Sequence, residues 1–220
     1  MDNLLRFNNR QRYCVFDTET EGLNLVWHRP YQISWLECVG KEVVAVHDHY
    51  LWWEDFKISD GAAKVTRFNY DFYKSKAKDP REVYEKFKVP LFCPKTILVC
   101  QNFLGFDAYM IKNVQKRLGL KVDYSYLSKS IDTKALATAS AKGLKFDPSM
   151  TTNFLAWQYR MASIVEKGLK TSQETLLKKY DIPYEKDRLH EGVYDVECLG
   201  KIFQKMIWDI EVPNLIGDKT

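Results

Sequence analysis

Three acidic clusters, each framed by apolar residues, are strung along this chain of 220 residues. Asp17-Thr18-Glu19 follows directly on Cys14-Val15-Phe16. Phe106-Asp107 closes a loop fed by the apolar run Ile97-Leu98-Val99-Cys100. His190 stands five residues before Asp195. Apolar framing of this kind puts an acid at the end or on the face of a packed element. A fold that gathers four carboxylates into one cleft must neutralise them, because like charges repel strongly in a desolvated site. Hard divalent cations with oxygen-only demands, Mg²⁺ or Mn²⁺, meet that need. A pair of such ions about 4 Å apart clamps the attacking and leaving oxygens of a phosphodiester displacement. Taken singly, any one of these acids is more often a helix cap or a solvated charge. The reading rests on the joint pattern.

That pattern matches a known family. Cys14-Val-Phe-Asp17-Thr-Glu19-Thr-Glu-Gly22-Leu23 resembles the first motif of the DEDD family of 3′–5′ exonucleases. Asn102-Phe-Leu-Gly-Phe106-Asp107 resembles the second, and His190-Glu-Gly-Val-Tyr-Asp195 the third, in the histidine form of the family. Ile131-Asp132-Thr133-Lys134-Ala135-Leu136 resembles a strand-to-helix segment common in these proteins. The likeness runs from about Tyr13 to Phe203. It implies an α/β, ribonuclease H-like fold, with a central mixed sheet flanked by helices. It implies a metal-dependent 3′–5′ exonuclease using two Mg²⁺ or Mn²⁺ ions, with a single-stranded DNA or RNA 3′ end as partner. Asp17 would bridge both ions, Glu19 and Asp195 would complete their shells, and Asp107 would hold one of them. His190 would be the general base, its ordinary pKa near 6.5 suiting proton abstraction at neutral pH. Thr18, Thr20, Leu23, Asn102 and Phe106 are the implied substrate contacts. Leu23 is the candidate wedge against the terminal base, and Phe106 a candidate for stacking. For both, the competing reading is core packing. Tyr194 adjoins Asp195 and has the wrong spacing for the tyrosine form of the family.

Two positions depart from the pattern. Gly192 stands where alanine is common, and glycine inside a helix costs about 1 kcal/mol relative to alanine. It either starts the helix or lets substrate backbone approach closely. Asn102 lies one residue farther from Asp107 than is usual, which puts the role of Asn102 in question but not that of Asp107.

The rest of the chain reads as one domain over 1–220 with no linker and no repeat. Hydrophobic content of 45% with 28% charged residues is that of a globular protein. No run approaches the ~20 apolar residues of a membrane span, and Met-Asp-Asn-Leu-Leu-Arg has no signal-peptide core. Five scattered cysteines without CxxC spacing indicate neither a disulfide framework nor zinc, so a reducing, cytoplasmic setting is expected. A net charge of only +4 leaves nucleic-acid contacts to local patches.

Alternation predicts a buried strand over Tyr13–Asp17 and a hairpin of Tyr31–Val39 and Glu42–Leu51 turning at Gly40-Lys41. Thr96–Cys100 reads as a strand covered on both faces. Helical spacing covers Asp79–Phe87, capped by Asp79 ahead of Pro80, and Phe106–Leu118, ending at Gly119. Thr171 and Glu174 are spaced as a capping box, and Gly192–Ile210 is a long final helix. Asp132 is read as the cap of a helix over Thr133–Ala141. His47-Asp48-His49 suits strand alternation better than a metal site, and His28 has no partner pattern. Aromatics around Trp52-Trp53 and Phe68–Tyr73, beside Lys74, Lys76 and Lys78, suggest either a single-strand platform or a solvated basic loop. Two readings stay open beside a DNA exonuclease: an RNA-trimming exoribonuclease, and a silent binding module derived from a nuclease. A stand-alone enzyme and a polymerase-bound subunit are equally compatible with the sequence.

Overall fold

The computed structural model describes residues 4–149, 151 and 153–216, so both extremes of the 1–220 domain reading lie outside the described residues. A five-stranded mixed sheet is built from β1 (Arg12–Thr20), β2 (Pro30–Val39), β3 (Glu42–Tyr50), β4 (Thr96–Cys100) and β5 (Ser130–Asp132). Its spatial order is β3-β2-β1-β4-β5. The first three strands form an antiparallel meander, whereas β4 runs parallel to β1 and β5 parallel to β4. The β2–β3 turn falls at Gly40, whose φ of +57° is a left-handed conformation that glycine adopts without strain. Among the described residues eight α-helices join the sheet, besides short 3-10 turns: α1 (Asp60–Val65), α2 (Tyr70–Lys76), α3 (Pro80–Phe92), α4 (Asp107–Arg117), α5 (Thr133–Ala141), α6 (Phe154–Ala162), α7 (Gln173–Lys179) and α8 (Gly192–Asp209).

The central strand decides where everything else goes. Side chains alternate across β1, so Tyr13 and Val15 enter one core with α5–α8, while Cys14 and Phe16 enter another with α3 and α4. Continuing the alternation, Asp17 and Glu19 extend the α8 face, and Thr18 extends the α4 face. The strand runs on to Thr20 rather than stopping at Asp17, so both acids sit inside the ladder, paired with Ser34 and Gln32 of β2. β4 is buried at every position, as its unbroken apolar run requires.

Most helix ends follow local chemistry. Asp79 caps α3 by accepting from the Arg81 and Glu82 amides, and Asp132 caps α5 through Lys134 and Ala135. α3 runs five residues beyond Phe87, to Phe92. α4 begins at Asp107, with Phe106 as its N-cap, and its Tyr109 points to solvent with the Lys112 amine over its ring. The expected Thr171–Glu174 capping box does not form. Ser172 is the cap and accepts from the Thr175 amide, while Glu174 takes hydrogen bonds from Lys178 and Tyr184. The stretch from Phe68 to Tyr73 is not a loose loop. α2 carries Tyr73 into a buried aromatic cluster with Tyr31, Phe56 and Phe68, leaving only Tyr70 and Phe72 exposed. α1, α2 and α6 are additional to the elements expected from sequence. Among the described residues no helix is long and apolar enough to cross a membrane.

Candidate active site

A cleft of about 540 Å³ opens at the end of β1. Asp17 and Glu19 reach it from β1, Asp107 from the first turn of α4, and His190 and Asp195 from the start of α8. The two-face geometry of β1 explains the assembly. Asp17 and Glu19 look toward α8, where Asp195 waits. Thr18, on the opposite face, donates its hydroxyl proton to Asp107 Oδ1 at 2.6 Å and fixes that carboxylate. Thr18 thus lines the cleft and also orients an acid.

The charges are strongly coupled. Burial raises the Asp17 carboxyl well above its ordinary pKa, and the neighbouring Asp107, Glu19 and Asp195 charges add to the rise. Burial pushes Glu19 up to about 8, helped by Asp195 and Asp107. Asp107 rises to about 7 through burial, against the Thr18 hydrogen bond. Asp195 rises to about 7 through burial, partly offset by the His190 amide. All four carboxylates are therefore poorly satisfied as bare anions, and a bound cation would invert that balance. The donor set is oxygen-rich, which suits a hard divalent ion. One ligand atom from each of Glu19, His190 and Asp195 lies within 4.8 Å of the others.

His190 has φ +71°, and its backbone N–H donates to Asp195 Oδ2 at 2.8 Å. Left-handed backbone is uncommon outside glycine, though histidine is among the residues that visit it. Arg67 holds the loop from outside, donating to the carbonyl oxygens of Asp187 and Leu189, the latter at 2.7 Å. Burial and the Arg67 charge both lower the His190 pKa. Tyr194 does not enter the cleft: its hydroxyl accepts from the Glu185 amide at 2.6 Å and Arg188 covers its ring.

The other expected contacts divide. Thr20, Leu23 and Phe106 line the cleft. Leu23 is 83% exposed, so it is not core, whereas Thr20 ties its hydroxyl to the Gly22 carbonyl at 3.0 Å. Asn102 is not among the lining residues. It adopts φ +57°, its side-chain oxygen accepts from Lys134 Nζ at 2.9 Å, and its amide donates to Asp132. Asn102 shapes the loop that delivers Asp107. Its neighbour Gln101 lines the cleft instead. Gly192 is the first residue of α8, and a Cβ there would lie 2.3 Å from Ser34 Oγ and 2.8 Å from Gln32 Nε2. The glycine is required by β2.

Sequence reasoning missed Gln173 and the α1 wall. Gln173 Nε2 donates to the Asp195 backbone oxygen at 3.0 Å and to Oδ1 at 3.2 Å. Gly61, Ala62 and Val65 of α1, with Thr66 after it, line the cleft with the acids. Neither has a motif; a glutamine behind a helix cap carries no signal of its own. His47 does not line the cleft; it stacks 4.4 Å from Trp35 and pairs with Glu37.

The RNase_T family model, described as exonuclease, matches residues 14–203. No curated protein matches the chain. Among solved structures, E. coli exonuclease I in complex with a dT13 oligonucleotide has a TM-score of 0.69 at 16% identity. A zinc-bound E. coli exonuclease I–ssDNA complex gives 0.68 at 17%. These alignments cover 89% and 88% of this chain but only 40% of each exonuclease I chain. The chain thus spans two fifths of the length of the solved structures it matches, and at that identity the likeness establishes the fold. The family match takes in all five candidate residues, so this protein belongs to the RNase_T exonuclease family.

Proposed function

We propose that this chain hydrolyses single-stranded nucleic acid, DNA in the first instance, from the 3′ end and releases nucleoside monophosphates. The observation that carries the reading is the convergence of Asp17, Glu19, Asp107, Asp195 and His190 in one cleft at the end of β1. The four carboxylates would hold two Mg²⁺ or Mn²⁺ ions, whose chemistry is to neutralise the scissile phosphate and stabilise both the entering and the leaving oxygen. Thr18 keeps Asp107 aimed, and Gln173 does the same for Asp195. His190, neutral at pH 7 because burial lowers its pKa, takes the proton from the attacking water. Leu23, exposed at the cleft, wedges against the terminal base, and Phe106 supplies a second apolar surface. The exonuclease I structures hold single-stranded oligonucleotides, which favours the same substrate class here.

The test is digestion of 5′-labelled single-stranded DNA and RNA with Mg²⁺, Mn²⁺ or EDTA. Stepwise shortening from the 3′ end is expected, stopped by a 3′-phosphate and by EDTA, with a circular strand left intact. Cutting of the circle would overturn the exonuclease reading. Digestion of RNA in preference to DNA would reassign the substrate, and binding without cleavage would show a silent module.

A further inference from the structure

A second cavity is larger than the acidic cleft. It measures about 800 Å³ and lies at the opposite end of β1, where β1 and β4 begin. Four cations line it, Arg10, Arg12, Lys95 and Lys129, and among the described residues no Asp or Glu does. Among the described residues none of the four takes part in an ion pair. What sets this group apart is that four cations share one pocket that no described acid enters.

The arrangement is held by the sheet. Arg12 pairs with Thr96 in the parallel β1–β4 ladder, which sets Arg12 beside Lys95. The buried Gln11 side chain donates to both the Arg12 and the Lys95 carbonyls, at 2.8 Å and 3.1 Å, and locks the two strand starts together. Lys129 enters from below, its ammonium donating to the Leu91 and Thr96 carbonyls at 2.7 Å and 3.0 Å. Burial depresses the Lys129 pKa to about 8, and the groups that act against this are cysteines, not carboxylates. A half-buried ammonium served only by neutral carbonyls leaves a site in which a bound anion is favoured.

We propose that this basic pocket is a second nucleic-acid site that binds the phosphodiester backbone of a single strand, remote from the acidic cleft. Four cations in one pocket suit a linear polyanion, which can meet them one phosphate at a time. Arg12 and Glu19 are seven residues apart on one strand, about 23 Å at ~3.3 Å per residue. A stacked strand at ~3.4 Å per phosphate covers that distance in about seven nucleotides. A strand whose 3′ end lies in the cleft therefore reaches the pocket only when it is longer than this. Recognition through phosphates alone carries no sequence preference and depends on salt. The proposal leans on the exonuclease reading for the identity of the polymer, but not for the existence of the site.

The experiment compares wild type with the triple variant Arg10→Ala, Arg12→Ala, Lys95→Ala. All three side chains are exposed, which keeps folding out of the result; an unchanged melting temperature verifies it. Binding of single-stranded DNA of about 20 and about 4 nucleotides is measured in EDTA over a salt series, lengths chosen on either side of the ~7-nucleotide reach. The long strand is expected to bind about tenfold more weakly to the variant. Its log–log salt slope should be shallower by about 2, at ~0.7 per lost phosphate contact. The short strand should bind both proteins alike. With Mg²⁺, KM for the long strand should rise while kcat and all short-strand kinetics stay unchanged. Equal long-strand affinity in the two proteins overturns the site, as does equal weakening of both lengths. Loss of polyglutamate binding with strand binding intact would make the pocket a docking face for acidic protein, also contrary to the proposal. If neither protein cleaves anything, the exonuclease reading fails, yet the EDTA titration still decides the pocket.

Discussion

His190 and Asp195 hold each other in place, which separates two functions that are easily confused. The His190 amide satisfies Asp195 Oδ2, while the imidazole is left free toward the cleft. Replacing His190 with Ala leaves that amide bond and all four carboxylates, so Mg²⁺ affinity and strand binding should stay near wild type. The catalytic rate should fall by roughly 10²–10⁴, the usual contribution of a positioned acid–base group. Asp195→Ala should weaken Mg²⁺ binding as well, measurable by calorimetry. At saturating Mg²⁺ the wild-type rate should fall as pH drops through the histidine pKa, and the His190 variant should lose that limb; an unchanged acid limb removes His190 as the base. The acids and His190 were legible because their residue types recur at fixed spacings beside apolar runs. Arg67 and Gln173 were not, because each meets its target only through the tertiary fold. The Arg67 contact with Leu189 spans 122 positions. Leu23 shows the opposite limit: its motif was readable, but only its exposure separates a wedge from core.

At the scale of elements, periodicity located every strand that positions an acid, and local chemistry located most helix ends. The failures share a cause. Thr171 and Ser172 are both competent caps, and the backbone chose the one whose hydroxyl meets the Thr175 amide. The aromatic run in α2 has no amphipathic stripe of its own, and its burial depends on Tyr31 and Phe56 arriving from elsewhere. Gly192 is the most testable junction between elements. Alanine would gain about 1 kcal/mol of helix propensity over glycine. Its Cβ would also press into Ser34 Oγ and Gln32 Nε2, and overpacking of this kind costs about 1–3 kcal/mol. Gln32 can swing its amide aside, but Ser34 is short and lies on a central strand, where it also donates to Asp48. Gly192→Ala should therefore lower the unfolding midpoint in urea. Adding Ser34→Ala should recover part of the loss, which single-site additivity does not allow. A Gly192→Ala protein as stable as wild type would mean that α8 docks without the close approach.

For the whole molecule, the acidic cleft sets how stability responds to pH and to metal. Carboxylates in the unfolded chain titrate near 4. In the folded protein Asp107 and Asp195 are raised to about 7, Glu19 to about 8, and Asp17 is raised in the same direction. Between about pH 4 and 8 the folded state thus holds more protons at this site than the unfolded state does. Stability falls with rising pH wherever the native state binds the excess protons. The metal-free protein should accordingly lose melting temperature as pH climbs from 5 to 8.5. A divalent ion replaces the protons and binds only the folded arrangement, so its stabilisation should grow with pH. In EDTA the melting curve should slope down across this window, and 10 mM Mg²⁺ should lift it little at pH 5.5 and most at pH 8. Asp17→Asn removes one charge from the repelling group. It should flatten the metal-free slope, raise the melting temperature at pH 8 above wild type in EDTA, and reduce the Mg²⁺ gain. Higher stability together with lost activity in one variant is the mark of a site whose acids are assembled for an ion at the expense of the fold. A metal-free melting temperature that does not change between pH 5 and 8.5 would show that these four carboxylates are not poised in this way.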